Sequence, residues 1–112
     1  MRVLVVDDNQ ELAENLAEIL VDEGHEATVA AGAEDTLSID ECFDLALLDV
    51  RMDGVDGVEL LRRIRARCPS TNCVMMTAFT RDERLDEARD LGAVVLQKPV
   101  RVEELLALVD AA

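Results

Sequence analysis

Four short and mostly apolar runs of this chain are each followed at once by a polar residue that can bind an ion. The runs cover residues 3–6, 45–48, 74–76 and 94–97, and the polar residues after them are Asp7 with Asp8, Asp49, Thr77 and Lys98. Runs of this length that are rich in Val, Leu and Met predict buried β-strands. In an open parallel sheet the carboxyl ends of the strands lie at one edge, and ligands bind there. We therefore expect three carboxylates, one hydroxyl and one ammonium group to converge at one edge of a sheet.

Segments with apolar residues at helical spacing alternate with these strands. One follows the first strand, from Leu12 to Leu20, and another follows the last strand, from Val102 to Val109. Between them the sequence predicts a second strand over 27–30, a short helix over 33–40, and two helices with capping patterns at 56–59 and 80–83. Five strands that alternate with five helices predict a doubly wound α/β fold, a five-stranded parallel sheet with helices on both faces. Periodicity alone leaves the strand order open.

Composition limits what such a sheet can bind. The chain has 112 residues, which predicts one domain over residues 1–112, and its two aromatic residues, Phe43 and Phe79, imply an aliphatic core. A formal net charge of -14 argues against nucleic acid as a direct ligand, because phosphate backbones require a basic face. We expect no membrane association, since no stretch is long enough to span a bilayer. The early acidic pair after the first run argues against a signal peptide, so we expect a cytoplasmic protein.

Three carboxylates at one edge repel each other unless a cation lies among them. Mg²⁺ is suited to one or two carboxylates, waters and a phosphoryl oxygen. Thr77 and Lys98 would add a hydroxyl and a positive charge, as a group with several anionic oxygens requires. A carboxylate that faces a phosphoryl donor can act as a nucleophile and form an aspartyl phosphate. Each of these residues alone is common at turns and caps, but the joint pattern favours phosphoryl chemistry.

The chain resembles, over essentially its full length, the receiver domains of bacterial two-component response regulators, of the chemotaxis-regulator type. The residues that carry this resemblance lie at 5–9, 47–52, 56–57, 76–78 and 98–99. The resemblance implies a flavodoxin-like strand order, 2-1-3-4-5. It also implies a signalling switch that catalyses only its own phosphorylation and dephosphorylation, with a histidine kinase or phosphotransfer protein upstream and an unknown protein downstream.

The resemblance implies a role for each residue of the acidic pair and its neighbours. Asp49 would accept the phosphoryl group from the phosphohistidine of a histidine kinase. The Mg²⁺ ligands would be Asp8 directly, Asp7 through water, Asp49, and the backbone carbonyl of Arg51.

A second group of residues would bind the phosphoryl oxygens. The resemblance implies the Thr77 hydroxyl, the Lys98 ammonium group and the Ala78 backbone amide for this role. It also implies a cis peptide bond between Lys98 and Pro99, which a bond to proline tolerates at modest cost.

The chain departs from the receiver pattern at two positions. Asp53 follows Met52 where receivers have proline, and Val95 occupies the position of the Tyr or Phe that moves inward on activation. We therefore expect the phosphoryl chemistry to be retained and its coupling to partners to differ. Arg51 and Phe79 stand where receivers tune water access to the phosphoryl group, and ordinary packing explains both residues equally well.

Three cysteines remain, Cys42, Cys68 and Cys73, without the paired spacing of zinc or redox motifs. A thiol switch is one interpretation of them. We expect instead that they are reduced, small apolar residues in a reducing compartment.

Two other functions fit parts of the pattern. A receiver that has lost its switch could serve as a phosphorylation-independent docking module, as Val95 would allow. A hydrolase with an aspartyl-phosphate intermediate would normally have two aspartates separated by one residue after the first strand, whereas this chain has Asp7-Asp8-Asn9. The sequence also leaves open whether the receiver acts alone or within a hybrid kinase or a transcription factor.

Overall fold

Strands and helices alternate throughout the described chain. The computed structural model describes residues 1–50, 56–78 and 83–111. The elements are β1 (Arg2–Val6), α1 (Gln10–Asp22), β2 (Glu26–Ala30), α2 (Ala33–Ser38), β3 (Leu45–Asp49), α3 (Gly57–Arg67), β4 (Asn72–Thr77), α4 (Glu83–Asp90), β5 (Val94–Gln97) and α5 (Val102–Ala111).

The five strands form one sheet in the order β2-β1-β3-β4-β5, and every neighbouring pair is parallel. This confirms the predicted fold class and the strand order that the resemblance implied. The central strand β3 is buried along its whole length, as expected for a parallel strand that has helices over both faces.

Alternate residues of the strands supply two separate cores. Leu4 and Val6 of β1 belong to the core that contains residues of α3 and α4. Val3 and Val5 of the same strand belong to the core that contains residues of α1 and α5. Because side chains alternate between the faces of a strand, one apolar run fills both cores.

Side-chain caps start two of the helices close to the ends of the strands. The Asn9 side chain accepts a hydrogen bond from the Leu12 amide (3.2 Å) at the start of α1. The Asp56 side chain accepts one from the Val58 amide (2.7 Å) at the start of α3. The capping pattern predicted for α4 lies largely outside the described residues. Among the residues that are described, no helix is long and apolar enough to span a membrane.

The cysteine prediction is wrong for two of the three residues. Cys42, in the loop before β3, and Cys68, at the end of α3, form a disulfide with their Cα atoms 5.7 Å apart. The two residues are 26 positions apart in the sequence, so spacing alone could not show that the end of α3 folds back onto this loop. Cys73 is a buried free thiol, as expected.

Candidate functional site

The carboxyl ends of β1 and β3 bring the three aspartates together. Val6 pairs with Leu48, so Asp7 and Asp49 continue neighbouring strands. Carboxylate oxygens of Asp7, Asp8 and Asp49 all lie within 4.8 Å of one another. Asp7 is fully buried and Asp49 is 7% exposed, whereas Asp8 is exposed. The cluster therefore has a buried inner part and one carboxylate that faces solvent.

Lys98 reaches this cluster from the end of β5. Its Nζ atom lies 3.0 Å from Oδ2 of Asp7 and 3.2 Å from Oδ2 of Asp49. Partial burial alone lowers the pKa of Lys98, but the hydrogen bond to Asp7 and the charges of Asp49 and Asp7 outweigh this effect, so its pKa is raised. Lys98 is therefore held as an ammonium ion between two carboxylates.

Backbone hydrogen bonds fix the positions of these side chains. The Asn9 amide donates to Oδ1 of Asp7 (2.9 Å), which leaves Oδ2 of that residue for Lys98. The Lys98 amide donates to the Thr77 carbonyl (2.7 Å), so the ends of β4 and β5 are joined at the site. Thr77 itself is buried, with 1% of its surface exposed.

The cluster has the chemistry of a site for a divalent cation. Hard cations such as Mg²⁺ prefer oxygen ligands, and carboxylates supply both oxygens and charge. Lys98 offsets part of the negative charge of the cluster, because it contacts two of the three carboxylates. The exposed Asp8 gives an incoming ion a ligand that is open to solvent.

Gly57, the first residue of α3, makes a close backbone contact at the site that sequence reasoning missed. Its amide donates to the Val50 carbonyl (2.9 Å). A Cβ atom at this position would lie 2.0 Å from the Asp49 carbonyl oxygen and 2.9 Å from Cα of Val50. With contacts this short, a side chain at this position fits only if the backbone shifts, so α3 starts directly against the residue that carries the candidate nucleophile. In the sequence the Asp56-Gly57 pair predicts a helix start and forms part of the resemblance to receivers, and neither reading predicts this contact.

Some of the remaining candidate residues lie within the described part of the chain, and the others lie outside it. Ala78 is exposed directly after Thr77, and the Lys98–Pro99 peptide bond is cis. Val95 lies in β5 opposite Met75 and is half-buried against the core that contains α3 and α4. The candidates outside the described residues are Arg51, Met52, Asp53 and Phe79.

Comparisons with known proteins agree in one family. The family model described as "Response regulator receiver domain" matches residues 3–110. A response regulator receiver protein of Anaeromyxobacter sp. (strain Fw109-5) is 41% identical over 110 residues, which are 96% of this chain and 46% of that protein. Sporulation initiation phosphotransferase F of Bacillus subtilis (strain 168) is 32% identical over 107 residues, which are 93% of this chain and 86% of that protein.

A solved structure has the same fold. The crystal structure of a CheY-like response regulator receiver domain protein from Methanospirillum hungatei JF-1 matches with a TM-score of 0.93 and 31% identity, over 98% of this chain and 90% of that one. The chain spans about half the length of the Anaeromyxobacter relative.

Proposed function

The chain belongs to the response regulator receiver domain family of two-component signalling, and we propose that Asp49 is its phosphoacceptor in a Mg²⁺-dependent reaction. The observation that carries this proposal is the contact of Lys98 with both Asp7 and Asp49 at the edge where Asp8 is exposed. An aspartate that only ends a strand needs no contact with a lysine ammonium group. A carboxylate that must approach a phosphoryl group needs nearby positive charge to offset the repulsion.

The proposed reaction transfers a phosphoryl group from phosphohistidine to the Asp49 carboxylate. The carboxylate oxygen forms the new bond to phosphorus, and the bond from phosphorus to the imidazole nitrogen breaks with its electron pair on the imidazole. Lys98 is 3.2 Å from Asp49, close enough for its ammonium group to bind an oxygen of the arriving phosphoryl group. We assign hydrogen bonds to other phosphoryl oxygens to the Thr77 hydroxyl and the Ala78 amide.

Asp7, Asp8 and Asp49, with the backbone carbonyl of Arg51, are the residues that would hold Mg²⁺. When bound, Mg²⁺ would neutralise charge that develops on the phosphoryl oxygens. Asp7 is buried and accepts a hydrogen bond from the Asn9 amide, so its carboxylate would have a fixed orientation in the site. Asp8 is exposed, so its carboxylate would bind the ion directly.

We propose residues 1–112 as one receiver domain that acts as a switch and catalyses only its own phosphorylation and dephosphorylation. The upstream partner in this proposal is a histidine kinase or a phosphotransfer protein. The name of the B. subtilis relative, a phosphotransferase, supports phosphoryl exchange with other proteins. The downstream partner would be a protein, and the reaction would take place in the cytoplasm, where kinases that use ATP act. The family match favours neither the docking module nor the hydrolase.

Phosphorylation with a small acyl phosphate tests the proposal without the kinase. Wild-type protein in Mg²⁺ is expected to gain one phosphoryl group, as measured by intact-protein mass spectrometry, and to gain none when the metal is chelated. Asp49→Asn removes the nucleophile and is expected to abolish the gain. Asp22→Asn, at the exposed end of α1, is the matched control and should behave like the wild type. Equal phosphorylation of the Asp49 variant would overturn the proposal.

A further inference from the structure

The disulfide lies at the opposite edge of the sheet from the proposed phosphoacceptor. Cys42 lies three residues before β3, whereas Asp49 ends that strand. Cys68 caps the end of α3, whereas the start of α3 touches Asp49. The bond closes a covalent ring over residues 42–68, and this ring contains β3 and α3. A chemical change at the sulfur atoms therefore acts on the segment that carries Asp49.

We propose that Cys42 and Cys68 form a reversible redox site, which small thiols and disulfides open and close while the domain stays folded. The site is distinct from the phosphoryl chemistry and does not depend on it. Exposed disulfides exchange more readily with external thiols than buried ones do. A reducing compartment would keep the site open, and a more oxidising thiol pool would close it.

Contacts other than the disulfide hold the two segments together. The Thr71 hydroxyl, three residues after Cys68, donates a buried hydrogen bond to the carbonyl of Phe43, the neighbour of Cys42 (2.7 Å). Arg67 donates hydrogen bonds to two carbonyl oxygens at the C-terminal end of α2, which leads into the Cys42 loop. These bonds remain after reduction, so the two thiols stay close and the bond can form again without refolding.

The two cysteines differ in their exposure to solvent, so an external thiol reaches one sulfur atom more easily than the other. Cys42 is exposed, whereas Cys68 is 6% exposed. A cleft of about 270 Å³ is lined by both cysteines and by Arg67, Pro69 and Ser70. An external thiol can therefore reach the pair from the Cys42 side.

Closure would take place in two exchange steps with a small disulfide, such as oxidised glutathione. The Cys42 thiolate attacks one sulfur of the small disulfide and releases a first thiolate. The Cys68 thiolate then attacks the Cys42 sulfur of the mixed disulfide and releases a second one. The cysteines lose two electrons and two protons, and the small disulfide is reduced to two thiols.

Cys73 is excluded from this exchange by its surroundings. Its side chain is buried, and its Sγ lies 3.7 Å from the carbonyl oxygen of Thr71. Burial raises the pKa of the Cys73 thiol, although Arg65 partly opposes this effect. A neutral, inaccessible thiol does not attack a disulfide. Cys73 therefore serves as an internal reporter, because it reacts with alkylating reagents only if the fold opens.

A glutathione titration of the wild-type protein tests the proposal. Samples are equilibrated at several ratios of reduced to oxidised glutathione, quenched with iodoacetamide, and mapped by peptide mass spectrometry. We expect the Cys42–Cys68 bond to change from fully closed to fully open across the titration, with Cys73 protected throughout. Circular dichroism should show the same secondary structure in both states, and the thermal unfolding midpoint should fall by roughly 10 °C on opening.

Four results would overturn the proposal. The bond could stay closed in excess reduced glutathione, or the thiols could stay open in excess oxidised glutathione. Alkylation of Cys73 together with Cys42 would show that opening requires unfolding. The Cys73→Ser variant is the matched control, since it should titrate like the wild type. In Cys42→Ser the unfolding midpoint should no longer depend on the glutathione ratio, and persistence of that dependence would also contradict the proposal.

Discussion

Replacement of Gly57 by alanine is predicted to lower both the free energy of unfolding and the rate of phosphorylation. The added methyl group would clash with backbone atoms, which cannot rotate away as the end of a side chain can. The new Cβ would lie 2.0 Å from the Asp49 carbonyl oxygen, and both Cα and the carbonyl oxygen of Val50 would lie 2.9 Å away. A side-chain tip could rotate out of such a contact, but here α3 or the end of β3 must shift.

The expected cost follows from two effects. Overpacking of this kind costs about 1–3 kcal/mol. A shift of α3 also weakens the hydrogen bond between the Gly57 amide and the Val50 carbonyl, which contributes about 1 kcal/mol. Alanine is the better helix former and returns up to about 1 kcal/mol. We therefore expect a loss of about 1–3 kcal/mol in the free energy of unfolding, which a domain of ordinary stability survives.

Urea denaturation measures this loss, and an unchanged m-value would show that the comparison is valid. Gly32→Ala is the matched control, because Gly32 directly precedes α2 and a Cβ atom added there would meet no atom within 4 Å. The Mg²⁺-dependent phosphorylation rate of Gly57→Ala should also fall, by roughly 100-fold if Asp49 moves by about 1 Å. If the two alanine variants lose the same stability, or if the Gly57 variant is phosphorylated at the wild-type rate, the reasoning is wrong.

Three further predictions concern single side chains. The raised pKa of Lys98 means that folding favours its ammonium form, so its contribution is complete at neutral pH and is lost above the ordinary lysine pKa of about 10.4. In metal-free urea titrations from neutral to alkaline pH, the stability difference between wild type and Lys98→Met should therefore be constant at first and shrink above that pH. Asp8→Asn should weaken Mg²⁺ binding in calorimetry at least tenfold, because a carboxylate ligand is lost. It should change stability little, because Asp8 is exposed. Asp22→Asn should change neither quantity. Thr71→Val should cost about 1–2 kcal/mol in chemical denaturation, because it leaves the Phe43 carbonyl without its hydroxyl donor, and an unchanged midpoint would contradict the role given to that bond.

The polar ends of the strands were predictable because a local pattern of apolar residues determines where each strand ends. Each apolar run ends within one residue of the end of its strand, so Asp7, Asp49 and Thr77 had to reach one edge once the sheet was parallel. The strand order was not predictable from periodicity, since apolar spacing does not encode which strands are neighbours. It came from the resemblance to receivers, and the sheet confirmed it.

Gly57 and the disulfide were missed for a shared physical reason. Both depend on where α3 packs, which no pattern within the helix reveals. The start of α3 excludes a side chain only because it touches the backbone of Asp49 and Val50. Its end meets Cys42 only because α3 runs antiparallel to β3 and returns to the opposite edge of the sheet. Contacts between distant segments of this kind require the assembled fold.

The most direct test of the proposed phosphoacceptor is chemical trapping of its acyl phosphate. Borohydride reduces an aspartyl phosphate to homoserine, which peptide mass spectrometry locates in the sequence. After incubation with Mg²⁺ and a small acyl phosphate, we predict homoserine at position 49 and at no other aspartate, and none when the metal is chelated. Homoserine at Asp7 or Asp8, or its absence from position 49 in phosphorylated protein, would contradict the assignment of Asp49.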